Sequence, residues 1–475
     1  MPALLIAIPL LAVLLLNLPL GRLGNRAAFW VAVVLCAAQA RLAVEPSLSF
    51  WREPLSPLSD MFRSGIVVDD LSLLMFLAVS VVMFSSVMVC RYWCSNEEKR
   101  FTFISIMILT MVGMNGIVLA RDLFSLYVFI EVAAVASFVL IAFERGRDAC
   151  EGSFKYIVLS AVASAMLLAS MGLFLMISGG LSFPEVQGAL AGVTTNPILL
   201  LAIALFACGL FIKSGLVPFH GWLPDAYSSA PPPASILLAG IITKTAGVYT
   251  LMRLTVDVFG ITPALQSVLV AVGLISILIG ALAAIGQNDV KRMLAYSSIS
   301  QVGYIVLGLG IGTPLAFAGA MFHLFNHAVF KSLLFVNAAA VEKQAGTRDM
   351  RELGGIASRM PVTGLTSVIG ILSTSGIPPL AGFWSKLVII VAAWSAGWHW
   401  SAAIAVMASL ITLAYFLIMQ RKMFFGLLNG KFSELSEADG WALIPSVLLA
   451  LITVCLGFAA PWLFETFLLP VRSIL

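Results

Sequence analysis

Apolar residues occur in long runs along the whole chain, and shorter stretches containing Gly, Pro and charged residues separate these runs. A helix needs about 20 apolar residues to cross the hydrocarbon core of a bilayer, and the runs are close to this length. The pattern predicts an all-α integral membrane protein with fourteen transmembrane helices. We place these helices at residues 2–20, 27–44, 66–89, 101–120, 122–143, 154–177, 197–217, 234–252, 264–286, 293–311, 314–340, 361–394, 400–420 and 442–463.

No polar linker of domain length interrupts the runs, so residues 1–475 are expected to form a single membrane domain. The composition is that of a membrane protein, with 61% hydrophobic and only 11% charged residues, whereas about 25% of the residues in a soluble domain are charged. The first run starts at residue 2 without a basic segment or a cleavage site, which favours a retained helix over a signal peptide.

Charge and cysteine content exclude several other functions. The net charge is +4, but Lys and Arg are scattered singly over the loops, which is not the pattern of a nucleic-acid-binding surface. The six cysteines form no CxxC pair and three of them lie inside apolar runs, so disulfide, cluster and metal sites are not expected. We therefore expect no cofactor, no bound metal and no catalytic residue in this chain.

Basic residues also predict the orientation of the helices. Seventeen of the 27 Lys and Arg residues fall in the odd-numbered loops, counted from the loop after the first helix. Because such loops face the cytoplasm, both termini are expected on the outer, periplasmic side of a multi-pass protein of the cell (inner) membrane. The most charged loop, 341–360, is either a docking surface for a cytoplasmic partner or a simple solvated loop.

A nine-residue pattern occurs twice in the chain. Residues 214–222 and 375–383 share the pattern SG[LI]xPxxG[WF] at a separation of 161 positions, in predicted helices 7 and 12. Five helices separate the copies, which predicts that they point in opposite directions, as in an inverted-topology repeat. Proline interrupts the helical hydrogen bonds, so each copy is expected to break its helix. The alternative is that each proline only kinks the helix. The residues expected at the breaks are Gly215, Pro218, Gly376, Pro378 and Pro379.

Charged residues inside the apolar runs indicate the function. A charge at the centre of a membrane helix costs at least about 2.5–3.5 kcal/mol on insertion scales, so such residues are usually functional. The sequence places Glu131, Lys213, Lys244, Lys331 and Lys386 inside predicted helices. His323, His327 and Lys331 are spaced four residues apart and therefore share one helix face.

These residue types can carry protons, because burial favours a neutral lysine, a nearby carboxylate favours the charged form, and histidine titrates near neutral pH. The sequence therefore predicts a proton relay of buried Glu, Lys and His side chains. Four alternatives remain open, two for parts of this set and two for the whole protein. The HxxxH spacing is also found in zinc sites, although no third ligand is evident. Glu131 and Lys213 could form a purely structural pair. The whole protein could instead be a non-pumping scaffold, or a stand-alone transporter for an organic cation or a metal ion.

Six segments of the sequence together resemble a known family. They span 122–131, 213–225, 230–235, 289–303, 323–331 and 375–386, and the similarity extends in order over roughly residues 65–425. The chain resembles the antiporter-like membrane subunits of respiratory complex I, the D-type subunit of Mrp sodium/proton antiporters and related subunits of membrane-bound energy-converting hydrogenases.

This resemblance implies fourteen helices that contain two inverted five-helix repeats, helices 4–8 over 101–252 and helices 9–13 over 264–420, each with one broken helix. It implies that Glu131 and Lys213 form the pair of the first half, that Lys244 is the connecting lysine, and that Lys386 is the second-half lysine of the proton path. It also implies a proton-translocating subunit without a redox cofactor. Its partners would be other membrane subunits, including homologous antiporter-like subunits.

Two differences from members of this family narrow the choice of subunit type. Lys386 stands where the M-type subunit of complex I has glutamate, and the chain ends soon after helix 14, so the lateral helix of the L-type subunit is not expected. An N-type complex I subunit, a D-type Mrp subunit and the matching hydrogenase subunit remain as alternatives. The transported ion is accordingly H⁺ in a redox-driven pump, or H⁺ in exchange for Na⁺ in an antiporter.

Overall fold

A computed structural model describes residues 2–18, 22–45, 68–191 and 196–464. Within these ranges all regular structure is helical, and the only strand-like pairings are isolated bridges, Asp122 with Ser182 and Asp289 with Asp349. The predicted all-α class is therefore confirmed. In the described part of the chain, twelve helices are long and apolar enough to cross a membrane, counting Pro197–Ser229 as one of them.

The helices alternate with short connections along the described chain. In the first part they are α1 (Leu4–Leu16), α2 (Arg22–Val44), α3 (Asp70–Trp93), α4 (Glu97–Leu119), α5 (Leu123–Ile141), α6 (Arg147–Ser178), α7 (Phe183–Leu190), α8 (Pro197–Ser214), α9 (Trp222–Ser229) and α10 (Pro232–Phe259). In the second part they are α11 (Pro263–Ile285), α12 (Val290–Ile311), α13 (Pro314–Ala345), α14 (Pro361–Ser375), α15 (Ala381–Ser395), α16 (His399–Met423) and α17 (Gly440–Leu463).

The predicted spans and the observed helices differ in specific places. The predicted span 361–394 is divided into α14 and α15, and α1 is also shorter than a full span. The stretch 178–196, predicted as a loop, contains the short helix α7. Its start is fixed by a capping box, in which the Ser182 hydroxyl accepts from the Glu185 amide while the Glu185 carboxylate accepts from the Ser182 amide.

Aspartate side chains begin two of the helices that carry candidate residues. The Asp122 carboxylate accepts from the Ser125 amide at the start of α5, and the Asp289 carboxylate accepts from the Arg292 amide at the start of α12. These bonds satisfy amides that have no partner inside the helix, and each is typically worth about 1 kcal/mol. Apolar runs explain why α5 and α12 are membrane helices, and the caps explain where they begin.

The described residues belong to two compact units. The first contains the described parts of Met1–Val87, Cys94–Ser214 and Ile241–Gly260, and the second contains those of Met88–Trp93, Gly215–Gly240 and Ile261–Leu475. Large apolar side chains lie on the surface in both units, for example Leu14 and Met176 in the first and Leu410 and Phe458 in the second. Exposed apolar surface of this kind suits contact with lipid rather than water.

Glycine allows close helix packing in the second unit, where α11 lies against α12. A Cβ atom added to Gly303 would lie 2.7 Å from the Gly273 carbonyl oxygen, and one added to Gly280 would lie 2.5 Å from the Ser300 amide nitrogen. Only residues without a side chain allow two membrane helices to approach so closely. The α11–α12 seam fixes the position of α12, which carries several of the polar side chains described below.

Candidate functional site

The first helix interruption follows α8. This helix ends at Ser214, and Gly215 has φ +68°, in the left-handed region that glycine adopts without strain. A short 3₁₀ turn at Phe219–Gly221 precedes α9, and the Val217 amide, freed from helical bonding, donates to the Ser276 hydroxyl at 3.1 Å. The interruption therefore leaves a helical end directly after Lys213.

The second interruption lies between α14 and α15. Here Gly376 has φ +83°, and the amide of Gly382 donates to the Ser373 hydroxyl at 3.2 Å. Pro378 and Pro379 lie in the connection between the helices. A Cβ atom on Gly376 would lie 3.2 Å from Lys386 Cδ, so the broken backbone runs directly beside this lysine.

The first unit contains a buried ion pair between α5 and α8. Lys213 Nζ lies 2.9 Å from Glu131 Oε1, and the exposed fraction is 1% for the Lys213 side chain and 28% for that of Glu131. Two serines of α6 complete the site: Ser160 Oγ accepts from Lys213 Nζ at 2.6 Å, and Ser164 Oγ donates to Glu131 Oε1 at 2.6 Å. The lysine is enclosed by protein, while its carboxylate partner extends toward the surface of the unit.

Lys244 is buried in the same unit, within a π-helical segment of α10 that spans Lys244–Tyr249. Its Nζ lies 3.1 Å from the Thr243 hydroxyl. A Cβ atom on Gly247 would lie 2.3 Å from Ser214 Oγ, so α10 passes very close to the residue that follows Lys213. The wider π-helical turn is rare and is often found at functional sites.

The second unit holds His323 and Lys386 in a second buried site. His323 Nδ1 lies 2.8 Å from Ser385 Oγ, and Lys386 Nζ donates to the Thr374 carbonyl at 2.7 Å. The Lys386 ammonium also lies 4.6 Å from the centre of the Tyr304 ring, within the range of a cation–π interaction. Carbonyl, hydroxyl and ring therefore surround this lysine, whereas a carboxylate contacts Lys213.

Lys331 and His327 lie on α13 together with His323, and all three side chains are fully buried. The Lys331 ammonium donates to the Ser297 hydroxyl and, at 3.2 Å, to the Leu294 carbonyl, both on α12. The rings of His323 and His327 both lie within 6.0 Å of the Phe330 ring. Among the described residues, no group of three His, Cys, Asp or Glu side chains is arranged to hold a metal ion.

Several polar groups of these sites were not identified from the sequence. Ser160 and Ser164 are spaced four residues apart on the apolar helix α6, and this spacing is the signal that could have placed them on a common face. Ser297 lies on α12 within the segment 289–303 that carried the family resemblance, and Tyr304 follows that segment directly, but nothing in their spacing indicated which lysine each contacts.

Comparison with known proteins supports the family resemblance seen in the sequence. Residues 120–412 match the family described as NADH:quinone oxidoreductase/Mrp antiporter, TM. The chain is 33% identical to NADH-quinone oxidoreductase subunit N of Desulforudis audaxviator, over 88% of this chain and 85% of that protein. It is 32% identical to the D-type subunit of the Na⁺/H⁺ antiporter of Alkalihalophilus pseudofirmus, over 88% of this chain and 83% of that protein.

The fold is also similar to that of a solved chain in the Mrp complex from a Dietzia species. The TM-score is 0.90 at 27% identity, and the superposition covers 100% of this chain and 98% of that chain. Fold and buried charges together define a multi-pass, antiporter-like membrane subunit. The chain belongs to the NADH:quinone oxidoreductase/Mrp antiporter family, so the resemblance drawn from its sequence is confirmed.

Proposed function

We propose that this chain is the proton-translocating subunit of a multisubunit membrane complex, and that protons pass along its buried Glu, Lys and His side chains. The carrying observation is the Glu131–Lys213 pair, whose lysine is 1% exposed and whose two charged groups also bind serines. A buried ion pair contributes little net stability, because removing both charges from water offsets their attraction. Stability therefore gives little reason to retain it, whereas transport of a proton requires such groups.

The pair can exist in two protonation states. With Glu131 in contact, Lys213 is stabilised as an ammonium. If the carboxylate moves away or is protonated, the enclosed lysine favours the neutral amine and releases its proton. Ser160 and Ser164 contact the pair and can pass a proton through hydrogen-bonded neighbours. Partner subunits would drive this exchange through contacts with helices of this chain.

The second unit supplies a lysine with different surroundings. Among the described residues, no carboxylate lies within ion-pair distance of Lys386, and its Nζ contacts only the Thr374 carbonyl and the Tyr304 ring. A buried ammonium stabilised only by these weaker partners is expected to lose its proton more readily than a paired one. We propose that Lys386, with His323 beside Ser385, releases protons in this half of the chain.

We also propose the fourteen-helix architecture with two inverted repeats, 101–252 and 264–420, within one membrane domain. The support is the matched interruption of α8 at Gly215 and of α14 at Gly376, each with a left-handed glycine and a nearby lysine. Both termini would face outward, as the distribution of Lys and Arg indicates.

The partners would be other membrane subunits, since a relative of similar fold is part of a multisubunit Mrp complex. The coupled ion distinguishes two versions of the function. The NADH-quinone oxidoreductase relative is 33% identical and the Na⁺/H⁺ antiporter relative is 32% identical, so identity favours neither a redox-driven pump nor an antiporter. Proton movement that depends on added Na⁺ would assign the chain to the antiporter version.

The test replaces Lys213 by Met in the complete complex. Methionine retains length and apolarity but cannot titrate. We expect the complex to assemble and proton movement in membrane vesicles, followed with a pH-sensitive dye, to fall at least about tenfold. The matched control is Lys155→Met, since Lys155 forms an exposed ion pair with Glu151 at 2.8 Å. Normal proton movement by the Lys213→Met complex would refute the proposed function.

A further inference from the structure

A second buried Lys–Glu pair lies at the start of α12. Lys291 Nζ is 2.8 Å from Glu342 Oε2 of α13, and the exposed fraction is 1% for the lysine and 28% for the glutamate. These exposed fractions equal those of Lys213 and Glu131, where the separation is 2.9 Å. Each unit therefore contains an enclosed lysine whose carboxylate partner extends toward the surface.

Glu342 is shared between two cations. Arg348 Nε lies 3.8 Å from Glu342 Oε1 and 3.1 Å from Asp289 Oδ2. The Glu342 carboxylate can therefore move toward Arg348 when it leaves Lys291, without losing an ionic partner. A carboxylate with two alternative partners can function as a switch.

Toward the interior, the next polar groups along α12 belong to the contacts of Lys331. The Leu294 carbonyl and the Ser297 hydroxyl, both of which accept from Lys331 Nζ, follow Lys291 by three and six residues. Leu294 is adjacent to Lys291 on the surface of α12, and Ser297 is in turn adjacent to Leu294, because residues three apart are neighbours on a helix. Six residues correspond to a rise of about 9 Å, a gap that a few hydrogen-bonded waters can bridge.

Further polar side chains of α12 follow the residues that contact Lys331. Gln301 is fully buried, and neither its side-chain oxygen nor its nitrogen has a hydrogen-bond partner among the described residues. Buried amides of this kind are normally satisfied by water. Three residues further along is Tyr304, whose ring faces Lys386. Polar groups of α12 that are three or four residues apart thus lead from the Lys291–Glu342 pair past Lys331 to Lys386.

We propose that Lys291 and Glu342 form a second proton-loading pair, which exchanges protons with the solvent and delivers them along α12 to Lys331. A proton from solvent neutralises the Glu342 carboxylate, and the Lys291 ammonium then loses its countercharge. Its proton moves inward to the neutral amine of Lys331, leaving Lys291 neutral, and the acid proton of Glu342 reprotonates Lys291. One proton enters and one is delivered, so charge balances. The inference rests on the proposed function.

A structural role for the same residues must be distinguished from the proposed proton-loading role. Lys291 donates to the Ala230 carbonyl at 3.3 Å, Arg292 contacts Asp225 at 2.6 Å, and Arg348 donates to the Ser228 carbonyl. The cations could therefore serve only to hold α9 against α12. A merely structural pair needs an acceptor at position 342, whereas a proton-loading pair needs a group that titrates.

The test compares Glu342→Gln with Glu342→Asp in vesicles that contain the complete complex. Glutamine keeps the length and an oxygen that can face Lys291 Nζ, but it does not titrate. Proton movement should fall at least about tenfold in Glu342→Gln and recover in part in Glu342→Asp, with equal amounts of assembled complex. The control is Glu151→Gln, which makes the same change in the exposed pair with Lys155.

The possible results separate this inference from the proposed function. If Lys213→Met abolishes proton movement while Glu342→Gln leaves it unchanged, the second pair is overturned and the proposed function stands. If Gln supports more proton movement than Asp, the role is structural and the inference is also overturned. If Glu342→Gln does not assemble, Glu342→Asp and Lys291→Met decide the case. Normal proton movement by an assembled Lys291→Met complex would overturn the inference.

Discussion

At the scale of single residues, the Glu131–Lys213 pair shows how a membrane protein can hold a buried charge whose protonation state can still change. Lys213 is fully enclosed and binds Ser160, but its partner Glu131 is 28% exposed and binds Ser164. A carboxylate that reaches the surface is open to solvent and has room to move away from the lysine, whereas one sealed in protein has neither. The asymmetry of the pair, rather than its mere presence, suits it to transport.

Replacing Glu131 by Gln tests this asymmetry. The amide retains an acceptor for Lys213 and Ser164 but carries no charge, so the charged form of the lysine loses its stabilising partner. We expect slower proton movement, with the deficit growing as pH rises, because the neutral amine then predominates. The measurement is the pH profile of proton movement in vesicles. A variant with the rate and pH profile of the unaltered complex would contradict the pair.

At the scale of helices, the interruptions place backbone beside lysine side chains. Gly376 adopts φ +83° next to Lys386, and Gly397, just beyond α15, adopts φ +84°, where an added Cβ atom would have no neighbour within 4 Å. Alanine costs about 1–2 kcal/mol in this left-handed region. The two glycines therefore share a backbone requirement but differ in what a side chain would meet.

This difference gives a matched pair of variants. Gly376→Ala and Gly397→Ala should each lower stability by about 1–2 kcal/mol, visible as a similar loss of melting temperature. Only Gly376→Ala places a methyl group 3.2 Å from Lys386 Cδ, so only it should also slow proton movement. Equal transport by both variants would show that the second interruption does not position Lys386.

Helices were the level of structure that the sequence predicted best, and their contacts the level it predicted least. Apolar runs determine where a chain can cross a bilayer, and left-handed glycines followed by proline determine where α8 and α14 must stop. Serines such as Ser160 and Ser297 are compatible with any membrane helix, so the lysine that each contacts depends on packing between helices. The Lys291–Glu342 pair was missed because both residues lie at helix ends, where charges are ordinary.

At the scale of the whole molecule, the proposed orientation in the membrane determines which side each loop and each buried pair faces. Loop 341–360 and the solvent-exposed side of the Lys291–Glu342 pair would face the cytoplasm. The connection between α10 and α11 would face the periplasmic side. The loop carries an exposed ion pair, and hydrogen bonds from Arg351 lower the pKa of Asp349 to about 2. This carboxylate therefore remains charged at physiological pH on whichever side the loop lies.

Cysteine labelling tests the orientation directly. Glu352→Cys and Ala264→Cys introduce exposed thiols at the two predicted faces, in a chain whose exposed Cys150 and Cys455 have been changed to Ser. A membrane-impermeant maleimide should label position 264 from outside intact cells and position 352 only in inside-out vesicles. Labelling of position 352 from outside would reverse the assignment. Both variants should retain proton movement, which confirms that the labelled chains are folded.

The glycine seam between α11 and α12 also bears on how the protein is made. The two helices are neighbours in sequence, joined by a few residues, and their backbones touch at Gly273 and Gly303. Such a hairpin can close as soon as both helices have entered the membrane, while the remainder of the second unit is still being synthesised. We therefore expect Gly303→Leu to reduce the amount of protein that accumulates in cells, because the larger side chain keeps the hairpin from closing. Pulse-chase labelling would locate the loss during synthesis, ahead of any encounter with partner subunits.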